Sequence, residues 1–395
     1  MNEWIIYKLK DLCSDIIDCV NKTAPISQEE TPYKMLRTSD VRDGRINLEG
    51  LNSVTETIFE TWTRRGKLKV GDIVFTREAP LGEVGLVRVA DNYFLGQRLV
   101  LFRANPEVCD NKFLLYSLLY HDNKQAIISK GVGSTVLHLR VPECENITIK
   151  APKLSIQKRI GEILSTYDDL IENNQKQIKL LEEAAQRLYK KWFIDLHFPG
   201  HEDCKIVDGV PEGWEERSLE DIADVVMGQS PKSEFYNQNK KGIPFHQGVG
   251  SYGERFVDNE TYTTSYTRVG VENSILFSVR APVGRLNITK DKIAIGRGLA
   301  AINHKDKMQS FLFYALKYKF FRDDVIGNGS IFSSITKNDL LGQKILNPSA
   351  ELQSRFEGIA SNIDKKIEVL DTKLHLLKEA RDRLLPKLMS GEIEL

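Results

Sequence analysis

Several things are scarce in this chain, and each scarcity narrows what it can be. The 395 residues contain five cysteines, Cys13, Cys19, Cys109, Cys144 and Cys204. Their number is odd and no CxxC pair occurs, which argues against a disulfide scaffold and suits a reducing cytoplasm. No apolar run reaches the roughly 20 residues of a membrane span, and MNEWIIYKLKDLC lacks the layout of a secretion signal. A cytoplasmic location is expected. Charge of one sign is missing too: 55 basic and 55 acidic residues give a formal net charge of zero. Bulk attraction to nucleic acid is therefore absent, although a basic face balanced by an acidic back remains open.

Catalytic signatures are equally scarce. There is no GxxxxGK[ST] phosphate loop, no HExxH and no GxSxG. Residues Gly248 to Gly253 match GxGxxG in form, but the segment after them does not open an amphipathic helix, so the run reads as a Gly-rich loop. His197, His201 and Cys204 lack a fourth ligand for zinc and read as polar linker. No metal site and no catalytic residue are expected.

What the chain does have is a long helix that occurs twice. Ser155–Phe193 contains no Pro, and its apolar residues recur in steps of three and four. At ~1.5 Å per residue such a helix runs to about 60 Å and needs a partner. The same stripe returns between Leu352 and Leu388; Ile156 and Leu352, like Trp192 and Leu388, are 196 positions apart. The expected helix-pair seam is Ile163, Tyr167, Ile171, Asn174, Ile178 and Leu181 against Ile359, Ile363, Ile367, Leu370, Leu374 and Leu377. Two successive steps of four at Ile163–Tyr167–Ile171 and at Ile359–Ile363–Ile367 read as a shared stutter. Asn174 facing the seam where its echo is Leu370 reads as a register-fixing polar residue. Ser155 is expected to cap the first helix. Pro386 should kink or end the second, with Gly391 as its stop.

The segments before the helices repeat as well. Residues 1–150 show strand-like runs at Tyr33–Arg37, Asp72–Thr76, Val84–Val89 and Leu99–Phe102, a packed helix from Asn111 to Asn123, and an extended closing segment, Val141–Lys150. After a Pro- and Gly-containing linker at His197–Gly213, Trp214-x4-Leu219-x-Asp221 echoes Trp4-x4-Leu9-x-Asp11, and Ala281-Pro282 echoes Ala79-Pro80. The expected division is a first domain over 1–152, a long helix over 153–198, a linker and second domain over 199–348, and a second long helix over 349–395. The fold class is α+β: two similar mixed α/β domains separated by a long antiparallel two-helix coiled coil, pseudo-two-fold symmetric.

With no net charge to use, any nucleic-acid contact must come from local placement. Candidate residues in the first repeat are Arg37, Ser39, Arg42, Arg64, Arg65, Arg77, Gln97, Arg98, Ser134 and Thr135. The second repeat offers His246, Gln247, Tyr252, Arg280, Arg297 and Ser330. Arg and Gln can make bidentate contacts to base edges, and Ser, Thr and turn backbone suit phosphates. Arg77 and Arg280, each beside an Ala-Pro, are expected to serve one half of a target apiece.

At this point the residues resemble a known family. Gly209-Val210-Pro211-Glu212-Gly213-Trp214 with the following SLEDIADVVMGQSPKSE, and Tyr33–Gly44, resemble the openings of target-recognition domains in specificity subunits of type I restriction–modification systems. Trp192–Pro199 is similar to the end of that family's central conserved region, and Leu384–Ile393 to its C-terminal signature. Ile243–Gly248 departs from the Arg-Thr-Ser-Asp pattern of the first half, so the halves should read different bases. The resemblance implies a non-enzymatic subunit that binds double-stranded DNA, each recognition domain reading one half of a split target. It implies that the helices act as spacer and docking site for two methyltransferase subunits carrying S-adenosylmethionine. Motor–nuclease subunits using ATP and magnesium would complete a restriction complex. A recognition subunit of a methylation-only complex, and a coiled-coil protein-interaction scaffold without DNA readout, remain open as alternatives.

Overall fold

The protein is described by a computed structural model that covers residues 4–207, 209–320 and 334–395. Its internal contacts divide it into two compact units. One comprises Met1–Asn174 with Lys373–Leu395, the other Gln175–Thr372. Each unit thus takes one sheet-built domain and part of each long helix.

In the first unit, Ile5–Lys8 pairs antiparallel with Thr148–Ala151, the strand that leads into the central helix. The main sheet runs in the order Cys13–Asp18, Leu99–Ala104, Ile73–Thr76, Val84–Leu86. Its inner strands carry the unbroken apolar runs Ile73–Val74–Phe75 and Leu99–Val100–Leu101–Phe102 because both faces are covered. Alternation sends Ile73, Phe75, Val100 and Phe102 into the core shared with helix Asn111–Leu119 and the long helices. Val74, Leu99 and Leu101 enter a second core with Leu36 and Leu95. Those two leucines end the parallel pair Lys34–Leu36 and Tyr93–Leu95.

The second unit repeats the plan. Glu215–Ser218 pairs with Lys344–Asn347, and a four-stranded sheet runs Ala223–Met227, Leu299–His304, Ile275–Ser278, Leu286–Ile288. Ile275, Phe277, Ala300 and Ile302 face one core, Leu276, Leu299 and Ala301 the other. Ile243–His246 runs parallel to Ile293–Ile295.

The central helix is α-helical over Leu154–Tyr189 and closes in a π turn at Lys190–Ile194, while the C-terminal helix spans Ala350–Ser390. In the first unit, Ile156, Ile160 and Leu164 share a core with Leu388 and Met389. In the second, Ile178, Ala185, Tyr189, Trp192 and Phe193 share one with Leu352, Phe356, Ala360, Ile367 and Leu370. Early residues of one helix meet late residues of the other in both units, so the helices pair antiparallel in each.

The structure departs from several expectations. Ile171, Asn174, Ile178, Ile367, Leu370 and Leu374 are buried, but Ile163, Tyr167, Leu181, Ile363 and Leu377 are only half-buried, and Ile359 is 44 % exposed. The stripe runs instead through Leu164 and Ala360, one position later, and then through Asp168, which is buried, and Asp364. A carboxylate in the seam is invisible to an apolar pattern. Ser155 lies inside the helix, not at its cap. Pro386 neither ends the C-terminal helix nor sits outside it. One turn from the terminus it removes a single hydrogen bond, and the stop falls at Gly391, where φ is +79°. Val141–Lys150 is not extended throughout: Val141–Glu145 is helical, started by Pro142 and an Arg140–Glu143 cap.

Two buried devices tie the helices to the domains. Tyr116 Oη donates to Asp168 Oδ2 at 2.5 Å, and Arg381 Nη1 pairs with Asp168 Oδ1 at 2.7 Å. In the other unit Tyr314 Oη donates to Asp364 at 2.9 Å, but the cation is Arg255, at 2.6 Å, from the sheet-built domain. Its guanidinium lies 3.6 Å over the Phe313 ring. The echo of Arg381 is Ala185, fully buried, so each unit solves the same buried charge with an arginine from a different element.

The second device concerns helix starts. Asp110 caps helix Asn111–Leu119 through the Phe113 N–H at 2.9 Å. The central helix passes so close that a Cβ on Gly161 would stand 2.6 Å from Asp110 Oδ1 and 2.9 Å from Lys112 Cβ. In the second unit Met308 occupies the position of Asp110 and cannot cap. There Glu357, the echo of Gly161, reaches across and accepts the N–H groups of Ser310 and Phe311 at 3.2 and 2.9 Å. Burial raises the Glu357 carboxyl pKa, and those N–H bonds lower it in part.

Candidate nucleic-acid interface

In each unit the loops at one end of the main sheet are held together by backbone hydrogen bonds. In the first unit the Cys19 N–H donates to Leu99 O at 3.3 Å, Gly96 N–H to Leu36 O at 2.9 Å, Arg77 N–H to Arg98 O at 2.8 Å and Leu139 N–H to Arg77 O at 3.0 Å. The second unit repeats the frame: Gly228 N–H to Leu299 O, Gly296 N–H to His246 O, Val279 N–H to Gly298 O and Ile335 N–H to Val279 O. This places four loops side by side: the one after the first sheet strand, the one after the parallel strand, the turn before the longest strand, and the Ala-Pro turn.

The shared frame fixes which residues correspond. Arg77 matches Val279, and Arg280 matches Glu78, as the bridges Glu78–His138 and Arg280–Ser334 also require. Arg77 and Arg280 are therefore not equivalent, contrary to the pairing by their Ala-Pro neighbours. The Arg77 side chain is 15 % exposed and pairs with Asp18 at 3.0 Å, while Nη1 donates to Leu139 O at 3.2 Å. It braces the turn and offers no open face; Arg280 is exposed.

The other candidates divide in the same way. Arg37 gives Nε and Nη2 to Asp40 at 2.9 and 2.8 Å, and the pair holds the Thr38–Asp40 turn; Asp40 raises the Arg37 pKa. Arg65 reaches Cys19 O at 2.7 Å and Asp18 at 3.3 Å but stays 45 % exposed. Gln97 accepts from Thr23 Oγ1 at 3.0 Å. Ser39, Arg42, Arg64, Arg98, Ser134 and Thr135 are exposed, as are Gln247 and Arg297. His246 is 1 % exposed, wedged between Ser251 Oγ at 2.7 Å and Asn259 Oδ1 at 2.9 Å, with its pKa lowered by burial. It supports its loop and presents nothing outward. The Tyr252 hydroxyl is also buried, which raises its pKa. Ser330 lies outside the described residues.

Sequence reasoning missed Thr23, Gln229, Ser230, Thr267 and Arg268. Thr267 Oγ1 donates to Gln229 Oε1 at 3.3 Å, Ser230 Oγ accepts the Arg297 N–H at 3.2 Å, and Arg268 O accepts the Ile295 N–H at 3.1 Å. For Thr23, Gln229 and Ser230 the signal was positional, since each lies in the loop that follows the first strand of its main sheet; Thr267 and Arg268 carried no such signal. The resulting ends carry Arg, Gln, Ser and Thr in loops on a rigid sheet, the chemistry of base-edge and phosphate contacts. No helix among the described residues is long and apolar enough to cross a membrane.

Comparison with known proteins agrees with this geometry. The family described as type I restriction modification DNA specificity domain matches residues 1–183 and 211–379. A putative type I restriction enzyme MjaX specificity subunit of Methanocaldococcus jannaschii is 32 % identical over 412 residues, covering 100 % of this chain and 94 % of the relative. The MjaIX specificity subunit of the same organism is 27 % identical over 82 % of this chain and 78 % of its own length. Among solved structures, the S subunit of a type I restriction–modification system from M. genitalium shares the fold, with a TM-score of 0.67, 21 % identity and coverage of 98 % and 96 %. The chain belongs to the type I restriction–modification specificity family: it is a specificity subunit that recognises DNA sequence through two domains.

Proposed function

We propose that the loop set of each unit reads one half of a bipartite duplex target, with the long helices as spacer and docking site. The observation that carries this reading is a common backbone frame bearing different outward residues: Gln97 and Arg98 in one unit stand where Arg297 and Gly298 stand in the other. Equal frames present their loops to DNA in the same manner, and unequal side chains select different bases.

The helices offer matched sites for partners. Leu180 and Leu376, 196 positions apart, are 64 % and 60 % exposed, one in each unit. Repeated exposed leucines on polar helix faces suit two copies of one partner, here two methyltransferase subunits. Those subunits would carry S-adenosylmethionine, and motor–nuclease subunits would use ATP and magnesium; this chain would supply recognition and no catalytic group. Reconstitution with the methyltransferase and mapping of methylated adenines tests the reading. Modification at one bipartite motif is expected; modification without sequence preference would overturn it.

A further inference from the structure

The structure assigns a specificity-determining role to Arg98, as the residue of the first unit that reads a guanine in the major groove. The assignment rests on the reading that this unit's loops contact DNA, and three observations carry it further. First, Arg98 has φ of +69°, in the left-handed region that non-glycine residues rarely occupy. Its counterpart Gly298 does not adopt that φ; glycine is required there by close approach, since a Cβ would lie 2.4 Å from Gln247 O. An arginine held in a left-handed conformation that glycine would adopt more easily points to use of the side chain.

Second, the backbone beneath it is fixed. Arg98 O accepts the Arg77 N–H at 2.8 Å, and the Arg77 guanidinium is itself locked to Asp18. The neighbouring Gln97 is held by Thr23. Third, Glu78 meets the guanidinium from the Nε side, at 3.4 Å, and the side chain stays half exposed. Neither terminal nitrogen has a hydrogen bond among the described residues. An arginine approached at Nε, half exposed and with its two terminal nitrogens uncommitted, suits the paired acceptors O6 and N7 of guanine.

Arg98→Gly removes the side chain and suits the left-handed turn, so the variant keeps its fold. Arg98→Lys keeps the charge and loses the fork. Both are assembled with the methyltransferase subunits and tested on a library of DNA targets. Expected for both is a loss of discrimination at one G·C position of one half-site, by about tenfold or more, with the other half-site unchanged. Arg98→Lys should also keep the wild-type salt dependence of binding. An unchanged motif for Arg98→Gly overturns the assignment. So does a uniform loss on all sequences that Arg98→Lys restores, since that marks a phosphate contact. A wild-type complex with no sequence preference would instead overturn the underlying reading of the loops.

Discussion

Exchanging the capping arrangement of the second unit into the first gives a direct test of how the long helices are seated. Gly161→Glu alone would force a Cβ to 2.6 Å from Asp110 Oδ1 and 2.9 Å from Lys112 Cβ. Overpacking of this kind costs about 1–3 kcal/mol, and a second carboxylate at the same helix start adds repulsion. Replacing a mid-helix glycine returns roughly 1 kcal/mol, leaving a net loss of about 1–2 kcal/mol. Asp110→Met alone removes the cap of helix Asn111–Leu119, at a cost of ~1 kcal/mol. Independent effects would sum to about 2–3 kcal/mol in the double variant. The structure predicts instead a loss well below that sum, because the new glutamate takes over the N–H groups as Glu357 does for Ser310 and Phe311 and Asp110 Oδ1 no longer crowds it, while the approach to Lys112 Cβ remains. Hydrogen exchange of the amides in 111–119 is the suitable readout, since a two-unit chain need not unfold in one step. Additive losses would refute the exchange logic.

Other outcomes follow from the same contacts. Arg381→Ala leaves Asp168, whose side chain is 12 % exposed, without its cation; a loss of about 3 kcal/mol is expected by chemical unfolding, with partial recovery in Arg381→Ala/Asp168→Asn, and equal losses in both would contradict it. Leu180→Asp and Leu376→Asp should each release one methyltransferase subunit, read as a change of stoichiometry by native mass spectrometry. Burial holds the His246 pKa below its ordinary 6.5, so its contribution to stability is complete above pH 6.5 and falls as pH drops below that value. Against wild type, His246→Gln should flatten the stability slope of the second unit between pH 7 and 5.5, measured by exchange in 243–246; an unchanged slope would show that His246 does not set it.

The long helices were legible because their stripes are long, repeated and free of internal breakers until Pro386. Their exact faces were not. Ile163 and Leu164 are adjacent and both apolar, and the deciding residue is Asp168, whose partner Arg381 lies 213 positions away. A periodic apolar pattern has no means of showing a buried charge neutralised from the far end of the chain. The sheets were legible as apolar runs such as IVF and LVLF. The loop correspondence was not: Ala79-Pro80 and Ala281-Pro282 suggested that Arg77 and Arg280 were partners, whereas the hydrogen-bonded frame pairs Arg280 with Glu78. Residue type also failed to separate outward arginines from braces, because Arg77 and Arg37 are committed to Asp18 and Asp40 through contacts that only the folded chain creates.

Two differently furnished copies of one loop frame are proposed to read two half-sites. Single-molecule sequencing of DNA modified by the reconstituted complex, with wild-type chain and with Arg297→Ala, tests it most directly. A bipartite N6-methyladenine motif is predicted for wild type, and relaxation confined to one half-site for the variant. Relaxation of both halves together, or methylation with no divided motif, would contradict the account.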